Sequence, residues 1–275
     1  MKQGILVISE GTADPAGRED LRILIEEIGE RFPDAAAMLA YTDETARKTL
    51  REAEGQKVRG IRAAMLKLKE DGVQSLAALT TEVLFSRAYE KEKEELHGCA
   101  SLFSRMQIAR PLIAGEDDLP LFVRCMTGVY GEKAKEKIPV AVVEKELRPE
   151  TEAILPLLED AMRKSLSPQA HVISLMGQKR TKKMLLELEL QLAGQTAAPA
   201  AAEAIAERES GKTIIGFIPL AFLAGDAFRA RLSEGDLSPA ERTFSAGYEP
   251  HFLSEGLGAY DEFLRLYLRR LYEII

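Results

Sequence analysis

The chain has 275 residues, of which 46% are hydrophobic and 29% charged, and 37 Lys and Arg stand against 44 Asp and Glu for a net charge of -7. That is enough ordinary soluble sequence for two packed domains, and the acidic balance argues against a basic face for nucleic acid or for an anionic membrane. Two cysteines without C-x-x-C spacing exclude a disulfide framework, and three scattered histidines (His97, His171, His251) argue against a multi-histidine metal site unless the fold gathers them.

The chain opens on an apolar run too short for a signal peptide or a membrane span, and no later run is long enough, so a cytoplasmic protein is expected. Residues 5–8 read as a strand closed by Ser9-Glu10-Gly11-Thr12. Residues 18–31 carry Leu21, Leu24, Ile25 and Ile28 on one helical face, and Pro33-Asp34 ends the pattern. A weaker strand covers 36–41. Thr42 or Asp43 then caps a helix reaching 53, and a further helix spans 58–70. Residues 73–79 form a third strand ending at Thr80-Thr81-Glu82. A charged, exposed helix is expected over 86–102, a strand over 106–109 and a helix over 119–130.

The polar stretch 130–138 marks the change of domain, giving 1–132 and 133–275. A strand follows over 139–143, then a helix over 150–164 in which Pro156 implies a kink or a late start. Residues 170–176 are a strand, 177–192 a helix, and the Ala-rich insertion 196–209 a further helix delayed by Pro199. The run 213–218 is too short for a globular helix and reads as a buried strand ended by Pro219. Gly225-Asp226 opens a short helical pattern, 233–250 reads as loop, and 259–274 as a terminal helix that could pack back on the first domain. No phosphate-loop signature and no G-x-S-x-G elbow are present.

The two halves repeat one order of elements. Residues 71–89 can be laid over 210–228, and Val7-Ile8-Ser9-Glu10 over Val142-Val143-Glu144-Lys145. The fold class that follows is α/β, with two similar domains, each a parallel sheet flanked by helices, and a cleft between their strand ends.

With that order in place, the sequence resembles the anaerobic sirohydrochlorin cobaltochelatases of the CbiK family, class II tetrapyrrole chelatases. The pieces that carry the resemblance are Ile5-Leu6-Val7-Ile8-Ser9-Glu10-Gly11-Thr12, Arg47-Lys48-Thr49-Leu50, Tyr89-Glu90-Lys91, Pro219-Leu220 with Ala224-Gly225-Asp226, and Leu253-Ser254-Glu255-Gly256-Leu257-Gly258. The resemblance implies two chelatase-like domains and a cleft that holds sirohydrochlorin, a macrocycle with eight carboxylates, for ATP-independent insertion of Co²⁺. It also implies two catalytic histidines and a glutamate. In this chain Ala88 stands at the glutamate position, Ala227 at the histidine after Gly-Asp, and Lys145 within Glu144-Lys145-Glu146 at the other histidine. An alternative alignment puts Gln178 at that last position.

Other groups at the strand ends could furnish the cleft. Glu10, Glu82, Glu144, Lys145 and Glu146 point toward one space if the domains face each other, as an altered proton-handling or metal site, as solvated strand ends, or as a ligand pocket without chemistry. Within that set, Glu10, Glu82 and Lys145 are the catalytic candidates, and Lys145 could neutralise the cluster. Lys179 and Arg180 at a helix start suit carboxylate groups, as Glu144, Gln178, Asp226 and His251 suit other parts of a tetrapyrrole. His251 and Glu82 are the candidate ligands for Co²⁺ or a metallated tetrapyrrole.

Three functions stay open at this point. One is a catalytically degenerate binder of sirohydrochlorin, cobalt-sirohydrochlorin or haem, acting as carrier, store or partner subunit. Another is an active cobaltochelatase with relocated groups, such as Glu10, Glu82 and His251. The third is a structural or interaction protein without a tetrapyrrole. No nucleic acid or membrane partner is expected, and a homo-oligomer is compatible with the sequence.

Overall fold

The computed structural model describes residues 2–196, 213–235, 238–253 and 256–275. The helix expected over 197–209 and the Ser254-Glu255 pair of the last motif lie outside them.

In the first half, strands β1 (Gln3–Ser9), β2 (Ala36–Tyr41), β3 (Ser75–Thr80) and β4 (Arg105–Ile108) alternate with helices α1 (Pro15–Arg31), α2 (Glu44–Glu54), α3 (Ile61–Glu70), α4 (Arg87–Gly98) and α5 (Leu119–Tyr130). In the second, β5 (Lys137–Val143), β6 (His171–Ser174), β7 (Ile214–Pro219) and β8 (Glu249–Phe252) alternate with α6 (Pro149–Glu152), α7 (Ile154–Ser165), α8 (Gln178–Thr196), α9 (Asp226–Ser233) and α10 (Pro239–Ser245), and α11 (Asp261–Tyr272) closes the chain. Each half is a four-stranded parallel sheet, in the orders β2-β1-β3-β4 and β6-β5-β7-β8. The repeat read from the order of elements is thus a repeat of topology. Ile5 pairs with Ala37 and Ala77, and Val140 with His171 and Phe217.

Helices on both faces explain the unbroken apolar runs of the central strands. Alternate residues of β1 serve different layers: Ile5 and Val7 join one core cluster, Leu6 and Ile8 another. Ala141 and Val143 of β5 join the same cluster as Ile5 and Val7, so one apolar core runs from sheet to sheet.

Local signals account for the helix ends. Asp14 accepts from the Gly17 amide at 2.9 Å, and Pro15 opens the helix, which is why α1 starts earlier than its apolar periodicity. Asp43 caps α2 through the Thr45 amide at 2.8 Å. The helix expected across Pro156 is two pieces, broken at Ala153, with Pro156 in the first turn of α7 where its missing N–H forfeits no helical bond.

Two expectations need correction. The helix read as charged and exposed ends at Gly98 and buries Tyr89, Glu92 and Leu96 on one side. The stretch read as loop over 233–250 contains α10 and the start of edge strand β8. Ser238 caps α10 by accepting from the Glu241 amide at 3.2 Å, a Ser-x-x-Glu signal that was there to read.

The terminal helix joins the halves. The Tyr267 hydroxyl donates to the Thr81 carbonyl at 2.9 Å, just past β3, and its ring meets Phe222 edge-on with centroids 5.2 Å apart. Arg270 donates to the carbonyls of Pro111 and Leu112 and pairs with Asp118 at 2.5 Å.

Candidate functional site

The order β2-β1-β3-β4 reverses direction between β1 and β3, and the second sheet does the same between β5 and β7. Crevices form outside the carboxyl ends of strands at such switch points. Here the two crevices face one another. Ser9-Glu10 and Thr81-Glu82 come from the first sheet, and Val143, Glu144, Lys145 and Leu220 from the second. The space above widens to a cleft of about 530 Å³ reached by Glu10, Ala88, Glu92, Lys145, Met176 and Arg231.

Backbone geometry aims the carboxylates. Gly11 has φ +83°, and a Cβ on it would meet the Tyr41 ring at 2.2 Å, so a glycine is needed for the turn that presents Glu10. Glu82 is fixed from α4: the Ser86 hydroxyl donates to its Oε2 at 2.7 Å and accepts from the Tyr89 amide at 3.1 Å. Thr80 Oγ1 donates to Glu92 Oε2 at 2.7 Å and accepts from the Glu82 amide at 3.2 Å.

Lys145 lies between them. Its ammonium donates to Glu82 Oε1 and sits 3.3 Å from Glu10 Oε2. Burial pushes that ammonium down, but the Glu82 and Glu10 carboxylates outweigh it and hold Lys145 above the ordinary lysine range. Glu92 goes the other way: burial, then the Glu82 charge, push its carboxyl up to about 8. Burial also raises Glu144, against the opposing Arg231 guanidinium with which it pairs. Further contacts stitch the lobes beside the cleft. The Arg87 amide donates to the Glu146 carbonyl at 2.9 Å, its guanidinium pairs with the Glu146 carboxylate at 3.0 Å, and Ser86 bridges Leu147.

The remaining sequence candidates are elsewhere. Gln178 and Lys179 are exposed at the start of α8. Arg180 turns inward, donating to the Val172 carbonyl at 2.7 Å and pairing with buried Glu159 at 2.8 Å. His251 sits mid-way along β8 opposite Gly216, with Nε2 2.7 Å from Glu249, rather than at a strand end facing the cleft. His171 is buried in β6, and His97 is in the last turn of α4. Among the described residues no group of three His, Cys, Asp or Glu converges as a metal site. Asp226 and Ala227 begin α9. Glu92 was missed in the sequence, although it shares a helical face with Tyr89 and Leu96, and an acid on an apolar face was its signal.

A family model described as cobalt chelatase (CbiK) matches residues 3–275. The chain belongs to the CbiK cobalt chelatase family. Its fold agrees with solved relatives: SirB from Bacillus subtilis with Fe³⁺ gives a TM-score of 0.60 at 13% identity, covering 99% of this chain and 95% of that one. The sirohydrochlorin chelatase SirB from Bacillus subtilis subspecies spizizenii in complex with cobalt gives 0.61 at 13% identity, with the same coverage. No curated protein matches the sequence. In this CbiK-family chain, Ala88 contributes only a methyl group to the cleft wall, and Lys145 is committed to two carboxylates. Among the described residues no helix is long and apolar enough to cross a membrane.

Proposed function

We propose that this CbiK-family chain binds a carboxylate-rich tetrapyrrole of the sirohydrochlorin class in its cleft and no longer inserts cobalt by the histidine route of the family. It then acts as a carrier, a store or a partner subunit in corrinoid or haem metabolism. The observation that carries this reading is the Lys145 ammonium seated between Glu82 and Glu10. Metal insertion needs ligands that present and release a dication and a base that takes the pyrrole protons. Here the carboxylates that would hold a dication already hold an ammonium, and like charge opposes a second cation beside it. Glu92 is mostly protonated at neutral pH, so it cannot serve there as the base that takes a pyrrole proton, although its Oε2 still accepts from Thr80. A cleft of about 530 Å³ is within the usual range for a bound small molecule.

An absorbance titration of the full chain with sirohydrochlorin and with haem tests the binding half. A saturable spectral shift is expected, and none with either macrocycle overturns it. A second reading, an active cobaltochelatase with relocated groups, draws on the 26% exposure of the Lys145 side chain. An ammonium that swings outward would open Glu10 and Glu82 to Co²⁺. That reading predicts a Co²⁺-dependent change in the macrocycle spectrum that Glu82→Ala abolishes.

A further inference from the structure

The cleft has a side recess that the reading above leaves unused. It holds about 300 Å³ between Tyr41 at the end of β2, Arg47 on α2, and Ile61 and Arg62 at the start of α3. Thr42, Ile61 and Glu95 line both the recess and the cleft, so the two adjoin.

Arg47 sets the chemistry of this recess. Its Nε is shut off from solvent and has no hydrogen-bond partner, and among the described residues its guanidinium forms no ion pair. Gly60 lets the group lie flat against the backbone: a Cβ there would stand 3.1 Å from Nη1 and 3.3 Å from Cζ. The nearby acids are engaged, Asp43 with the Thr45 amide at 2.8 Å and Glu95 with the Arg62 amide at 3.0 Å. Arg47 as a whole is only half-buried and lines the recess, so with Nε closed off its Nη1 and Nη2 groups are the edge left to grip a carboxylate through two parallel bonds.

The geometry points to a carboxylate subsite: Arg47 receives one peripheral carboxylate of the macrocycle while the ring lies in the cleft. The identity of the ligand rests on the tetrapyrrole reading above. The preference for a carboxylate rests on the recess alone. Lys145 and Arg231 at the cleft floor are already spent on Glu82, Glu10 and Glu144, which leaves exposed Lys91 on the cleft wall and Arg47 in the recess as donors for an incoming carboxylate, and only Arg47 offers a fork.

Two measurements on the full chain test this separately. In the first, the Arg47 Nε–H resonance is followed while succinate is added. A saturable shift is expected, and no shift overturns the subsite whatever becomes of the macrocycle. In the second, sirohydrochlorin is titrated into wild type, Arg47→Gln and Arg47→Lys, each with its thermal midpoint recorded. Arg47→Gln is expected to weaken binding about tenfold or more, the scale of a lost charge-assisted bond. Arg47→Lys, which keeps the charge without the fork, should fall between, and it carries the test should Arg47→Gln lower the thermal midpoint. Equal binding by all three proteins overturns the subsite. Failure of wild type to bind the macrocycle while succinate still shifts Arg47 removes the tetrapyrrole reading and leaves the subsite standing.

Discussion

Lys145, just past the end of β5 in the second sheet, donates to Glu82, just past the end of β3 in the first, so the floor of the cleft is closed by an ion pair that crosses between the halves. Glu82 is only 6% exposed, and Glu10 joins the same ammonium at 3.3 Å. Removing Lys145 therefore strands one buried carboxylate and frees another beside it. Lys145→Met is expected to cost about 2 kcal/mol in urea denaturation, below the full value for a buried pair because the ammonium reaches solvent. The same variant should bind Co²⁺ by calorimetry where wild type does not, since Glu10 and Glu82 lose their resident cation. Unchanged stability together with unchanged Co²⁺ binding would remove the ion pair from the account.

Glu92 gives the fold a pH dependence of definite sign. Its folded carboxyl titrates near 8 against an ordinary 4.5, so between those values the folded protein holds a proton that the unfolded chain has released. The stabilising contribution is complete below about 4.5 and is lost as pH rises toward 8, at up to ~1.4 kcal/mol per pH unit. Glu92→Gln keeps an acceptor for Thr80 Oγ1 and removes the titration. Urea midpoints from pH 5 to 9 should be flatter for the variant than for wild type, and parallel curves would contradict the assignment.

Much of this arrangement was legible in the sequence, for physical reasons. Buried parallel strands must be apolar on both faces, so residues 5–8, 139–143 and 213–218 stood out, and the strand-end residues Glu10, Glu82, Glu144 and Lys145 could be placed beside a common cleft. β8 was not legible. It is a four-residue edge strand, Glu-Pro-His-Phe, that pairs only with β7, and neither alternation nor an apolar run survives in it. Arg180 and His251 were misplaced because sequence alone cannot tell which way a polar side chain turns. Glu159 draws Arg180 inward, and the edge position of β8 keeps His251 beside Glu249.

Arg180 accordingly serves the fold. Burial would raise the Glu159 carboxyl, but the Val172 amide, Arg180 and Arg163 outweigh it and hold it below its ordinary range. Arg180→Ala should cost about 1–2 kcal/mol of stability, the scale of a charge-assisted hydrogen bond, because Glu159 keeps Arg163 at 3.2 Å and the Val172 amide at 2.9 Å. Its affinity for sirohydrochlorin should equal that of wild type in the absorbance titration. Weakened binding with unchanged stability would return Arg180 to the ligand site.

Tyr267 is fully buried, and its hydroxyl satisfies the Thr81 carbonyl beside Glu82. Tyr267→Phe keeps the ring against Phe222 and leaves that carbonyl without the bond. A loss of about 1–2 kcal/mol in urea denaturation is expected. No loss would mean that the hydroxyl contributes nothing to holding the terminal helix on the first sheet.

The most direct measurement is the initial rate of cobalt-sirohydrochlorin formation, with Co²⁺ and metal-free sirohydrochlorin in excess over the protein, against the same mixture without protein. With Lys145 held between Glu82 and Glu10, the macrocycle spectrum should shift on binding while the rate of cobalt insertion stays at the protein-free value. Multiple turnovers of cobalt insertion well above that value would contradict the account.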